Sequence, residues 1–372
     1  MESREGALVT GEIVIVSPEL NAGGGGLADH ALHVVEEWGD HARVRFIVPE
    51  SGKVSPTSAY PVARIEKRGS ALRKKLPSDG GKVLLHYSAY GFDRVGYPRW
   101  LLRALADWKR ESKGLLVVMF HEIWTFWPLL NRNYLVQRLH RADIRKLVSV
   151  ADAVFTSTPS QAEHLLDLVP TSAVQVLPVG SNIRLQSSAD EPRKTGVAVL
   201  FGLQIARIKA LRKMQVELRS IAAAQLIKKG IAVGQGNTAD DEEHALWSEL
   251  RLAEGFEQRG ASSEAEVSRL LSTASFGLSA QDELSLHKSG TFMAYAAHGL
   301  NILSPYADSF APEPICWLTQ SAELLRGISA DELKSRAENL RSWQERTSSW
   351  SEIARRFADA LQLEMPIARA LR

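Results

Sequence analysis

Residues 13–16, Ile-Val-Ile-Val, and residues 197–201, Val-Ala-Val-Leu-Phe, are unbroken apolar runs, and each leads through a glycine-bearing loop into a helical pattern. A strand that is apolar at every position has both faces covered, as happens in parallel sheets flanked by helices. The first run passes into Asn21 and the glycines of residues 23–26, after which Leu27, Ala31, Val34, Val35 and Trp38 mark the inner face of a helix. The second passes into Gly202, with Arg207 and Lys209 at the head of a long helical stretch. The architecture repeats although the sequence does not. The glycine loop is neither a P-loop, since no Gly-Lys-Ser/Thr follows, nor a Gly-x-Gly-x-x-Gly, since Ala28 and Asp29 stand where the third glycine would be.

Further strands are expected at 44–48, 83–86, 115–120 and 153–156, and helices at 98–110, 134–150 and 160–168. Such alternation predicts an α/β fold with parallel sheets, whose ligands lie beyond the carboxyl ends of the strands. Those ends carry residues 23–26, His86, His121 with Glu122 and Trp124, and Ser157 with Thr158. His121 ends a strongly apolar strand, which points it at the crevice. A chain of 372 residues is long enough for two cores. The polar stretch 184–196, with Pro192 and no apolar period, divides it into an N-terminal domain (1–183) and a second domain (197–350). A last helix, 351–372, is expected to pack back on the N-terminal domain. In the second domain, 231–237 reads as strand and loop and 264–272 as helix, and 274–278 leads into the stretch that follows.

Residues 282–299 form the richest stretch. Asp282 and Glu283 precede Lys288, Ser289, Gly290 and Thr291, and from Phe292 the composition turns apolar at helical spacing until Gly299. Free N–H groups at a helix start, the helix dipole and a fixed cation would converge there on a phosphate. An ordinary capped helix with a surface lysine fits the same residues.

Composition narrows the partners. A net charge of +2 does not suit a dedicated nucleic-acid binder. One cysteine excludes an internal disulfide framework and points to a reducing cytoplasm. Glu2, Arg4 and Glu5 do not fit a secretory leader, and no stretch is apolar enough to span a bilayer. Basic series at 60–82 and 132–146 would suit an anionic membrane surface or simply a solvated face. No metal-ligand spacing occurs, so neither a metal nor any other cofactor is expected.

The two Rossmann-like halves, the first glycine loop, the strand-end His121 and the loop bearing Lys288 together resemble the GT-B fold glycosyltransferases. The retaining family-four ("group 1") type is the nearest in pattern. The resemblance covers nearly the whole chain, with residues 201–209, 288–291 and 297–299 as its sharpest local matches. It implies parallel sheets facing a central crevice, an acceptor-binding first domain and a nucleotide-sugar-binding second one. Carried over, Gly25 and Gly26 match the loop over the donor diphosphate, and His121 matches the histidine near the reacting carbon. Lys209 matches the cation against the diphosphate, and Lys288, Ser289, Gly290 and Thr291 match the loop that wraps the donor. The chain departs from the pattern at Leu203, where the family has arginine, leaving Arg207 to supply the charge. It departs again at Leu286 and Ala294, where the family has two glutamates, leaving Glu283 as the nearby carboxylate. The resemblance implies a cytoplasmic enzyme moving sugar from a UDP- or GDP-linked donor to a glycan or lipid-linked acceptor, with retention and without metal. A sugar-nucleotide epimerase of the same fold, or a degenerate protein that binds a nucleotide or partner without turnover, fits the same residues.

Overall fold

The computed structural model describes residues 12–21, 26–56, 58–78, 80–123, 134–186, 191–237 and 241–364. The chain forms two compact units, Met1–Pro178 with Trp350–Arg372, and Val179–Ser349. In chain order the first unit comprises β1 (Ile13–Val16), α1 (Gly26–Trp38), β2 (Val44–Pro49), β3 (Val62–Ile65), α2 (Gly69–Arg73), β4 (Lys82–Ser88), α3 (Ala89–Phe92), α4 (Arg99–Glu111), β5 (Leu115–Glu122), α5 (Tyr134–Val150), β6 (Ala153–Thr156), α6 (Pro159–Leu168) and β7 (Val174–Val176). The second comprises β8 (Lys194–Phe201), α7 (Gln204–Ala223), β9 (Lys229–Val233), α8 (Asp241–Ser248), β10 (Phe256–Gln258), α9 (Glu264–Thr273), β11 (Ala274–Leu278), α10 (Gly290–Ala297), β12 (Asn301–Leu303), α11 (Ser321–Leu325) and α12 (Ala330–Ser348). The chain then returns to the first unit as α13 (Trp350–Ala360).

Both sheets are parallel throughout, ordered β3-β2-β1-β4-β5-β6-β7 and β10-β9-β8-β11-β12. The order reverses direction between β1 and β4 in one and between β8 and β11 in the other, and in such sheets a crevice opens beyond the strand ends at that reversal. The apolar runs of the sequence are the central strands, buried on both faces. Strands β3, β7 and β10 were not anticipated from the sequence. They lie at sheet edges and are mostly half-buried, so no apolar run marks them. Strand β8 begins at Lys194, inside the stretch read as linker.

In unit 1, Ile13, Ile15, Leu84, Val117 and Met119 face α1 and α13. Val14, Val16, Val83, Leu85, Val118 and Phe120 face Leu101 and Leu105 of α4 and Ile144 and Leu147 of α5. The indole Nε1 of Trp38 donates to the Ala354 carbonyl at 2.9 Å, fixing α13 against α1. In unit 2, Ala198 and Leu200 pack on Leu211, Met214 and Leu218 of α7. On the opposite face Val197 and Val199 pack on Val267, Leu271, Phe292 and Tyr295. The Phe201 N–H donates to the Tyr295 hydroxyl at 2.7 Å. Gly277 makes room for that ring, because a Cβ there would lie 2.9 Å from it. This pair seats α10 at the carboxyl end of β8.

Candidate functional site

The loops at the reversal point of the second sheet are tied together by backbone. Gly202, Gly234 and Gly236 have φ of +133°, +127° and +148°, which side-chain-bearing residues rarely adopt. The Gly202 N–H donates to Val233 O at 3.0 Å, and a Cβ on Gly234 would sit 2.2 Å from Gly202 O. Gln204 extends the join, its side chain donating to Asn237 O at 2.7 Å and accepting from Asn237 N at 2.8 Å.

Under these loops lies Arg207, only 2% exposed. Its Nε and Nη2 donate to the two carboxylate oxygens of Glu243 at 2.7 and 2.8 Å, and its Nη1 donates to Gly202 O at 2.6 Å and Gln235 O at 3.3 Å. Its expected role as a donor-facing cation is therefore corrected. The guanidinium is balanced by a wholly buried carboxylate, and its N–H groups hold the loops after β8 and β9 in shape.

Across from Gly202 begins α10. A Cβ on Gly202 would approach Thr291 Oγ1 to 3.3 Å, so this hydroxyl stands against bare backbone. Ser289 caps the helix by accepting from Phe292 N at 3.1 Å, which leaves Gly290 and Thr291 in the first turn. Residues 286–288 form a short 3-10 turn that the sequence had not indicated. It leaves Lys288 exposed beside the cap, and Glu283 is likewise exposed in the preceding loop. Lys209 lies on the exposed side of α7, about 200° around the helix from Arg207. The structure thus brings Gly202, Ser289, Gly290 and Thr291 together, with Lys288 on the adjoining turn. His287 and His298 are structural. Burial holds both near a pKa of about 4, and His298 accepts from Ser268 Oγ at 2.9 Å while donating from Nδ1 to Ala294 O at 2.7 Å.

In unit 1, Gly25 lies outside the described residues, as does Trp124, and Gly26 opens α1 with open space around it. His121, at the end of β5, is 9% exposed and its Nε2 lies 3.1 Å from Nδ1 of the wholly buried His86. A third ring, His30 of α1, stands 4.9 Å from His121 and 5.3 Å from His86 between centroids. His30 drew no notice in the sequence, where it is one residue on a helix face with no ligand spacing to its partners. The same is true of Glu243, which lies 36 positions from Arg207 on another helix. A separate groove of about 620 Å³ between α2 and α4 contains Arg73, Arg99, Arg103 and Trp100. Two of its cations are matched, Arg73 with Glu111 and Arg103 with Asp143, which makes it a weaker anion site.

No family model matches the chain, and no curated protein does. Solved structures do. The chain is similar to WaaG, a glycosyltransferase involved in lipopolysaccharide biosynthesis, at 15% identity over 94% of this chain and 99% of that one, with a TM-score of 0.56. It is similar to a glycosyltransferase from Rickettsia africae ESF-5 at 11% identity over 94% and 97%, with a TM-score of 0.62. An α-glucosyltransferase in complex with UDP-glucose and DNA containing an abasic site is similar at 11% identity over 94% and 99%, with a TM-score of 0.58. The fold is GT-B, an α/β architecture of two Rossmann-like units.

Proposed function

We propose that the chain is a glycosyltransferase of the GT-B type, moving a sugar from a UDP- or GDP-linked donor to a hydroxyl of a glycan or lipid-linked acceptor. The observation that carries this reading is the approach of Gly202 to Thr291 and the start of α10 at the reversal point of the second sheet. Breaking a sugar–diphosphate bond leaves negative charge on the departing phosphate. N–H groups at a helix start and a fixed ammonium stabilise that charge as it develops. Gly290, Thr291 and Lys288 take this role, with Ser289 capping the helix, Lys209 as the more remote cation and Glu283 for the donor's hydroxyls. The resemblance implies a retaining transfer, with the leaving phosphate receiving the acceptor's proton and no divalent ion required on the diphosphate, although Leu286 and Ala294, buried and apolar, stand where the family has glutamates. The resemblance assigns the acceptor to unit 1 and the donor sugar to His121.

Among the described residues no helix is long and apolar enough to cross a membrane. We assign the protein to the cytoplasm, with a lipid-linked acceptor met through the basic segments of unit 1. The likeness to WaaG, a glycosyltransferase involved in lipopolysaccharide biosynthesis, supports polysaccharide assembly as the setting. The test is incubation with UDP- and GDP-sugars, with and without a candidate acceptor, followed by product analysis. Transfer or slow donor hydrolysis supports the reading, and an altered sugar still on its nucleotide would indicate an epimerase. A second reading, nucleotide binding without turnover, draws on the internal neutralisation of Arg207 by Glu243. Binding of donor with no product of any kind would favour it.

A further inference from the structure

The face of the first sheet that lies under α1 and α13 carries a cluster for which sugar transfer does not account. His30, His86 and His121 come from three elements, α1, β4 and β5, yet one ligand atom from each lies within 4.8 Å of the other two. His30 is 1% exposed and neither of its ring nitrogens has a hydrogen-bond partner, and the buried His86 has none at Nε2. Buried polar atoms are nearly always paired, so the unpartnered nitrogens of His30, whose ring stands against both other imidazoles, call for a polar ligand. Imidazole binds a metal through the lone pair of an unprotonated ring nitrogen, and each of the three rings has one to offer. Trp350 and Phe357 of α13 stand edge-on to His30 at 5.3 and 6.1 Å and wall the cluster with apolar surface.

We propose that His30, His86 and His121 form a three-imidazole site for a zinc-class divalent cation. Imidazole suits zinc and its borderline neighbours, whereas magnesium and calcium require oxygen ligands that the cluster lacks. Zinc–nitrogen bonds of about 2.0–2.1 Å set tetrahedral nitrogens about 3.3 Å apart. His86 Nδ1 and His121 Nε2, 3.1 Å apart in a hydrogen bond that a bound cation would replace, already have this spacing. Loading draws in the remaining ring by about 1.5 Å at most from the 4.8 Å limit, and a water takes the fourth position. A cation on Nε2 of His121 fixes Nδ1 as that ring's protonated nitrogen and holds the imidazole in one orientation. The site stands without the transfer reading, and only this consequence for His121 rests on it.

The full chain, prepared without a histidine tag and stripped with dipicolinate, is titrated with Zn²⁺ and separately with Co²⁺. Uptake of about one Zn²⁺ per chain and a visible four-coordinate Co²⁺ spectrum are expected. His30→Asn and His86→Asn should each weaken Zn²⁺ binding by about a hundredfold or more. Folding of each variant is checked by circular dichroism and metal-free melting. On the unaltered chain with isotope-labelled histidine, Zn²⁺ should shift the ring nitrogen signals of three histidines, which reads the site without any substitution. No stoichiometric uptake by the unaltered chain, or uptake undiminished in both variants, overturns the proposal. A chain that binds Zn²⁺ but transfers no sugar refutes the proposed function and leaves the site standing, and the reverse result refutes only the site.

Discussion

With Arg207 removed, the wholly buried Glu243 carboxyl would lose its guanidinium partner. Breaking such a pair costs about 3–5 kcal/mol, so Arg207→Ala should lower the urea midpoint by that equivalent. Replacing both partners, as Arg207→Met with Glu243→Leu, should recover most of the loss. A single variant as stable as the parent would show that the pair holds nothing. Lys288 presents the opposite case, exposed and beside the helix cap. Lys288→Ala should leave melting unchanged and lower turnover about a hundredfold, as removal of one oriented stabiliser does. Turnover should also be equal with and without millimolar Mg²⁺, and strict dependence on Mg²⁺ would remove the fixed cations from that role. Sequence alone shows two cations near two helix starts and cannot tell them apart, because the residue that neutralises Arg207 belongs to a distant helix. Acid is a third test. His287 and His298 titrate near 4 in the folded unit, through burial, against about 6.5 in an unfolded chain. Between those values the unfolded state binds more protons, so stability falls as pH drops from about 6.5 towards 4. Urea midpoints at three pH values across that window would show it, and a flat profile would exclude it.

The strand–loop–helix joins at the reversal of the second sheet depend on glycine for two separable reasons. Gly234 has a positive φ and also meets Gly202 O, whereas Gly327, at φ +81°, has open space around it. Gly327→Ala should therefore cost only the backbone term, about 1–2 kcal/mol. Gly234→Ala should cost clearly more and should weaken nucleotide binding, because the two loops must separate. Thermal melting and donor titration of the pair decide this, and equal losses would mean that loop contact is irrelevant. At this scale legibility follows burial. Central strands such as β1, β5 and β8 are written as apolar runs, while β3 and β10 pair on one side only and carry half-buried, mixed residues. The 3-10 turn before Ser289 left no periodic trace in three residues.

Unit 2 is one continuous segment, Val179–Ser349, and unit 1 is completed only when the chain comes back at Trp350. Ending the chain after Ser349 should leave unit 2 folded and unit 1 loosened, since Ile353, Ala354, Phe357 and Leu361 sit in the core with Ile13, Ile15 and Trp38. Phe357→Ala should by itself destabilise unit 1 by about 3–5 kcal/mol. Hydrogen exchange resolved by segment would test both, and loss of protection in unit 2 alone would contradict the division. The alternation of strands and helices made two Rossmann-like halves readable. The point at which the chain leaves the first unit, at Pro178, was not, since residues 179–183 still read as the close of the first half.

That return at Trp350 also sets a schedule for biosynthesis. The first sheet leaves the ribosome early, but the helix that covers its α1 face follows only after residues 179–349 have been made. At roughly 5–20 residues per second that interval lasts on the order of ten to thirty seconds. Throughout it Ile13, Ile15, Leu84 and Met119 lack their final cover on that side, an opening for chaperone capture or for aggregation of nascent chains. A stalled chain arrested before Trp350 should be bound by a holdase, and one arrested after its last helix has emerged should be released.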